Sequence, residues 1–248
     1  MRAILKLEML KNIQDKGLIF WTFILPIIFT VLFISMFTSG VEASIKEEMI
    51  TSIVPGYTVM FVFFIMISMG NSFIDDRDKG LVARLASTPL TPLQYVAGKW
   101  IAFMIIVAIQ IIVLQTFGKL VYTIPIQQPI SLAIIAIALT FCTTGIGLAL
   151  SIVIKTNNMG IAITQVIALV GAMIGGLWMP LEMMPDFFQM ISRVTPQYWA
   201  HIGFKEAMSG TITISSLLLS SVILIGFGCL GLIISLVAYP TFLRRAKN

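Results

Sequence analysis

Six stretches of this chain run for roughly 18 residues or more without a charged side chain, and each is long enough to cross a hydrocarbon layer about 30 Å thick as a helix. They lie at about 18–37, 54–74, 100–117, 130–154, 159–179 and 216–239. Inside lipid every backbone N–H and C=O must be bonded within its own segment, so each run is expected to be helical, and a proline such as Pro26 is tolerated. With 58% of its residues hydrophobic and 11% charged, the chain cannot assemble a water-facing surface. The sequence therefore describes an all-α integral membrane protein, residues 1–248 forming a single transmembrane domain with short polar connections.

An even number of spans returns both ends to one side, and the basic residues choose that side. Arg2, Lys6, Lys11, Lys16, Arg77, Lys79, Arg84, Lys99, Lys155, Arg244, Arg245 and Lys247 fall on one face, against Lys46, Lys119, Arg193 and Lys205 on the other. The positive-inside bias places both termini in the cytoplasm of a cell membrane. Trp21, Trp100, Trp178, Tyr57, Tyr122 and Tyr239 stand near span ends, where amphipathic rings settle. The net charge of +5 is thus a matter of topology, and nucleic acid is not an expected partner. A secretory leader is not expected at the start of the chain, because Glu8 and Asp15 interrupt the basic residues and no small-residue cleavage site follows the apolar run. Cys142 and Cys229 sit inside apolar runs, with no spacing for a disulfide framework or a metal.

Three elements do not span. Residues 2–16 scatter Ile4, Leu5, Leu7, Met9, Leu10 and Ile13 among Lys and Glu, as an amphipathic helix in the inner membrane interface would, its basic residues against lipid headgroups; the alternative is a flank that only orients the first span. After the second span, Asp75, Asp76 and Asp78 precede Lys79, Leu81, Val82, Arg84 and Leu85, which predicts a short amphipathic helix over about 76–87 ended by Pro89. Such a helix at the mouth of two spans is shaped to be gripped by another protein, or else is a solvated connector. Thr91, Pro92 and Gln94 then form a cap, first-turn proline and capping box, opening a helix that runs into the third span. Before the sixth span, Pro185 with Asp186, and Thr195 with Pro196, mark two short helices at about 185–194 and 196–208, ended by Gly210. Phe187, Phe188, Met190, Ile191, Val194, Trp199, Ile202 and Phe204 are too many apolar residues for free exposure to water. Pro180, Pro185, Phe187, Phe188, Pro196 and Trp199 are therefore expected to build a re-entrant outer gate, with a passive interfacial hairpin as the alternative.

Several chemistries find no residues here. Ion-coupled carriers keep ionisable groups within their spans, whereas these spans offer Asn71, Gln110, Gln115, Thr143, Thr144, Thr164 and Gln165. Such groups serve as interhelical glue, with Gln110 and Gln165 as candidates for polar groups along a transport path. His201 is the one histidine, no H-E-x-x-H, G-x-S-x-G or G-x-x-x-x-G-K-[ST] occurs, and neither catalysis nor ATP or metal binding by this chain is expected. Small residues recur at Gly145, Gly147 and Ala149, at Gly171 and Gly175, and at Gly226, Gly228 and Gly231, where helices can approach closely, more readily within one subunit than between two.

Taken together, an interfacial helix, six spans with both ends inside, a charged loop after the second span and a proline-marked pair before the sixth make the whole chain resemble the ABC type-2 exporter permeases, a group of bacterial drug, antibiotic and polysaccharide exporters. The most specific match is Asp76, Arg77, Asp78, Lys79, Gly80, Arg84 and Leu85, followed by Pro89 and Gly98-Lys99, which looks like the family's acidic-basic-acidic, Gly, Leu, Pro, Gly-Lys run. Asp stands where the family commonly has Glu, and Leu81 where Thr often follows the Gly. Met179-Pro180, Met184-Pro185 and Thr195-Pro196 look like the family's outer re-entrant segment. The resemblance implies a coupling helix that docks on an ATPase, and a transporter of two permeases and two ATPase subunits, the second permease identical or related, with ATP and Mg on the ATPases. Short loops favour a drug, antibiotic or other small amphiphile over a polysaccharide or lipid-linked glycan. An ion-coupled carrier and a membrane scaffold or sensor are the readings from other classes.

Overall fold

The computed structural model describes residues 2–40, 43–85, 91–178 and 181–247, and among these no strand occurs. Among the described residues six helices are long and apolar enough to cross a membrane: Lys16–Phe37, Met49–Asp78, Leu93–Tyr122, Pro129–Val153, Asn157–Ile174 and Ile214–Arg245. These match the six spans expected from the sequence, several extended by a turn or more because the helices run on into the charged flanks. The fifth instead ends at Ile174, short of the expected 179, where Gly175 and Gly176 turn the chain. The N-terminal helix, Arg2–Gln14, precedes them, and Asp15 caps the next helix by accepting from the Leu18 N–H at 3.0 Å. Pro89, Met179 and Pro180 lie outside the described residues.

The fourth span is the axis of the bundle. It packs along the sixth span over most of its length, and against the second, the third and helix Pro196–Ser209. Burial separates an inner from a peripheral set. In their most apolar stretches the second, fourth and third spans are 72%, 61% and 50% buried, while the first, fifth and sixth are only 28%, 22% and 28% buried. Those outer three expose rows of Leu, Ile, Val, Met and Phe, a surface suited to lipid or to a second membrane subunit.

Glycine decides where helices touch. A Cβ on Gly145 would stand 2.6 Å from the Gly228 carbonyl oxygen, and one on Gly231 would stand 2.4 Å from the Gly145 carbonyl. The fourth and sixth spans thus meet backbone to backbone. The Gly171–Gly175 pair is likewise occupied within the subunit, since a Cβ on Gly171 would fall 2.2 Å from Gln197 Nε2 on the outer helix. Both stripes serve intramolecular contact, as expected.

The charged loop departs from expectation in one respect. The helix predicted over about 76–87 is instead Leu81–Leu85, and Asp75, Asp76 and Asp78 close the second span, whose last helix is Ile65–Asp78. Gly80 takes φ +67° and ends that helix, a conformation glycine adopts without a side-chain penalty. Acidic residues at a helix C-terminus oppose its dipole, and the sequence reading had placed them at an N-terminus for that reason; basic partners from other helices offset the cost. The other expected elements form: a capping box on Thr91 and Gln94 starts Pro92–Tyr122, and the outer pair is Asp186–Ser192 and Pro196–Ser209, closed by Gly210 at φ +77°.

Replacing Gly145 by Val should force the fourth and sixth spans apart and cost about 1–3 kcal/mol or more. The thermal midpoint of the purified chain in detergent checks this. Gly226→Ala serves as control, because a Cβ there meets nothing within 4 Å, and its midpoint should stay near that of the parent.

Candidate functional site

At the end of the bundle that carries both termini, three helices each contribute a pair of polar residues one turn apart. Glu8 and Lys11 come from the N-terminal helix, Ser72 and Asp76 from the second span, and Tyr95 and Lys99 from the third, whose start is fixed by the Thr91 cap. Asp76 gathers them. Its Oδ2 accepts from Lys99 Nζ at 2.6 Å and from the Tyr95 hydroxyl at 2.9 Å, and its Oδ1 accepts from Lys11 Nζ at 2.8 Å. Lys99 also donates to the Ser72 carbonyl at 3.0 Å and stands 3.5 Å from Glu8 Oε1, to which the Ser72 hydroxyl donates. Its ammonium lies 4.7 Å from the centre of the Phe73 ring.

Two acids and two bases make this knot neutral, and the Lys99 side chain has 0% exposure, Glu8 2% and Asp76 5%. Charges so far from water persist only when each is matched. The site therefore holds the N-terminal helix and two spans in one arrangement, more through the cost of breaking any partner out than through net stabilisation.

The expected docking residues divide around this knot. Asp76 is inside it and presents no surface. Arg77 turns inward, donating to the Lys155 carbonyl at 3.0 Å beyond the fourth span, while its Nε meets Asp78 at 2.8 Å. Arg245 does the same for the Val153 carbonyl at 3.1 Å, so two guanidinium groups cover the carbonyl end of the fourth span. Asp78, Lys79 and Arg84 are exposed, with Lys79 bonded to Asp75 at 2.7 Å and Arg84 donating to the Lys79 carbonyl at 3.2 Å. The Asp75 carboxylate raises the proton affinity of the Lys79 ammonium, although a pair in open solvent contributes little stability. Val82 is buried and pins helix Leu81–Leu85 to the bundle, and the Leu85 side chain lies outside the described residues.

Glu8, Lys11, Ser72, Tyr95 and Lys99 were not singled out by the sequence reading as parts of one site. The usable signal was the four-residue spacing of Ser72 with Asp76 and of Tyr95 with Lys99, together with a Gly-Lys pair placed where the third span begins.

At the far end of the bundle the expected gate splits in two. Helix Asp186–Ser192 follows Pro185 and exposes Phe187, whose ring meets Phe188 edge to face, and Met190 and Val194 are also exposed. Helix Pro196–Ser209 is instead tied down. Gln197 Nε2 donates to the Ile167 carbonyl at 3.0 Å, within a π turn at Val166–Val170, and Trp199 Nε1 donates to the Arg193 carbonyl at 2.7 Å. His201 Nε2 is 3.2 Å from the Ser52 carbonyl of the second span. Of the two expected path residues, Gln165 lines a cavity between the first, second and fifth spans, whereas Gln110 is buried with neither amide atom hydrogen-bonded among the described residues.

Two outcomes follow from these environments. Lys99→Met strands Asp76 and Glu8 in the interior and should cost about 3–5 kcal/mol in detergent unfolding, most of it recovered in the Asp76→Asn/Lys99→Met double variant. Burial pushes the His201 imidazole down to about 4, against the pull of its bond to Ser52. The folded state then resists a proton that the unfolded chain takes up near pH 6.5, so this contribution is complete above that pH and fades as pH falls towards 4. Stability referenced to His201→Gln should decline by about 2 kcal/mol between pH 7 and pH 5.

A sequence profile of the ABC-2 type transporter matches residues 1–209. Two relatives come from Bacillus subtilis (strain 168). The linearmycin resistance permease protein LnrN is 23% identical over 175 residues, 71% of this chain and 46% of that protein, so the chain spans about half the length of this relative. The putative transport permease YvfS is 28% identical over 213 residues, 82% of this chain and 83% of that protein. The profile match over most of the length, on a bundle of six membrane-spanning helices, bears out the resemblance read from the sequence: the chain belongs to the ABC-2 type transporter family, whose permeases work with ABC ATPase partners.

Proposed function

We propose that this chain is the membrane-spanning subunit of an ATP-driven exporter that moves a drug, antibiotic or other small amphiphile out of a bacterial cell. The chain performs no chemistry in this reading: ATP and Mg bind, and ATP is hydrolysed, on a separate partner. Two copies, or this chain and a related one, pair with two ATPase subunits, and both termini face the cytoplasm in accord with the basic residues at that end. The linearmycin resistance permease among the relatives supports a drug or antibiotic as cargo.

The observation that carries the proposal is the exposed loop seated on a buried ionic knot. A partner that grips Asp78, Lys79 and Arg84 meets a short segment whose base is Asp76, and Asp76 is bonded to both the N-terminal helix and the third span. Closure of the ATPases on ATP pushes this loop. Because the knot resists separation of its charges, the push moves three helices together and shifts the spans between two packings instead of bending one helix locally.

The test is retention of ATPase subunits by the detergent-solubilised chain. A Lys79→Glu/Arg84→Glu variant reverses two exposed charges, whereas Arg77 is unsuitable because it also holds the Lys155 carbonyl. Retention by the parent and loss of at least ~10-fold in affinity by the variant is the expected result, in line with docking by charged pairs at an interface. Equal retention by both forms would sink the docking assignment, and no retention by either would return the scaffold and carrier readings to the front.

A further inference from the structure

Two cavities meet on the flank of the bundle at the end that carries the termini. One, of about 560 Å³, lies between the N-terminal helix, the end of the second span and the loop; the other, of about 370 Å³, continues along the first, second and fifth spans. Asp15, Leu18, Ser68 and Asn71 line both, so the cavities form one cleft with a polar chamber at the membrane surface and an apolar chamber at membrane depth. Each is within the size range of small-molecule sites.

The polar chamber is lined by three acids, Asp15, Asp75 and Asp76, and three bases, Lys11, Lys79 and Arg84, the last donating to the Lys79 carbonyl at 3.2 Å, but Asp15 stands apart from the ion pairs among them. Lys11 is bonded to Asp76 at 2.8 Å and Lys79 to Asp75 at 2.7 Å, which leaves the Asp15 carboxylate with no basic side chain within ion-pairing distance among the described residues. One of its oxygens caps Leu18, and Ser68 and Asn71 beside it make no side-chain hydrogen bond among those residues. Just beyond stand Trp21, which is 60% exposed, and the rings of Phe61 and Phe64. A carboxylate followed by aromatic faces attracts a positive charge twice over, by direct attraction and through the ring quadrupoles. Both peripheral walls also contain a π turn, Phe20–Ile24 in the first span and Val166–Val170 in the fifth, a backbone irregularity frequent where helices line sites.

We propose that the cleft binds a cationic amphiphile, its positive head between Asp15 and the Trp21 ring and its apolar body along Phe61, Phe64 and Ile161. The amphiphile reaches the cleft from the membrane leaflet at this end. Its assignment as cargo rests on the export reading; its binding does not, and the test needs no ATPase.

Tritiated tetraphenylphosphonium is titrated onto the purified chain in nanodiscs, with dodecyltrimethylammonium and tetraphenylborate, the anion of matching shape, as competitors. Saturable binding displaced by the ammonium and not by the borate is expected. Asp15→Asn keeps the cap on Leu18, because Asn caps as well as Asp, and should weaken binding roughly tenfold. Trp21→Leu, at an exposed position, should weaken it several-fold. Absence of saturable binding, equal competition by tetraphenylborate, or unchanged affinity in Asp15→Asn overturns the proposal. ATPase retention in the loop experiment is untouched by any of these results, so the two readings fail separately.

Discussion

An ammonium group with no exposure to water, deep beside Phe73 and Tyr95, would be expelled or neutralised unless a carboxylate met it there. Asp76 does so at 2.6 Å, and Glu8 lies close enough to share the charge. Since Asp76 ends the second span and Lys99 lies near the start of the third, the pair closes the loop between them at its base. The two ends of the loop cannot part without separating the two charges. The N-terminal helix is recruited by the same requirement, because Glu8 needs the Lys99 charge and the outer oxygen of Asp76 needs Lys11. One neutral cluster thus sets the position of three helices and the aim of the exposed residues Asp78, Lys79 and Arg84.

Further into the membrane the fastening is of another kind. Hydrophobic attraction between helices is weak where lipid is as apolar as Leu, so close backbone approach takes over, and Gly145 against Gly228 and Gly231 supplies it for the fourth and sixth spans. Thr143, Thr144 and Ser151 each return their hydroxyls to carbonyls of their own helix, and Trp100 Nε1 donates to Thr144 Oγ1 at 3.0 Å across to the third span. The fourth span is consequently the element to which its neighbours are fastened, while the first and fifth spans, 28% and 22% buried, are held by less packing.

The spans, the Thr91 capping box and the two outer helices were legible because each is written in adjacent residues: an apolar run, a cap, a proline in a first turn. The glycine contacts were half legible, since spacing announces that a close approach is allowed but does not name the partner. The ionic knot was not assembled from the sequence for a different reason. Its bonds join residues 64 and 65 positions apart, between the N-terminal helix and the second span, and 23 apart between the spans. Both Asp76 and Lys99 belonged to the run that carried the family resemblance, yet only the fold shows that the two ends of that run hold each other. Reading Asp76 as the start of a docking helix followed from helix-dipole reasoning on local sequence, which another helix's lysine overrides.

The two helices of the outer element are fastened unequally. Helix Pro196–Ser209 bonds to the fifth span through Gln197 and to the second through His201, and its C-terminal carbonyls accept from the Gln127 and Gln128 N–H groups at the head of the fourth, so it is fastened to all three. Helix Asp186–Ser192 has no such ties among the described residues and carries Phe187 on its open face. The second span joins the two ends of the bundle, with Asp76 at its base and Ser52 near its top, in two helices that meet at Phe64. The apolar face of helix Asp186–Ser192, with Phe187 and Met190, is thus the part of the outer element left open to its surroundings.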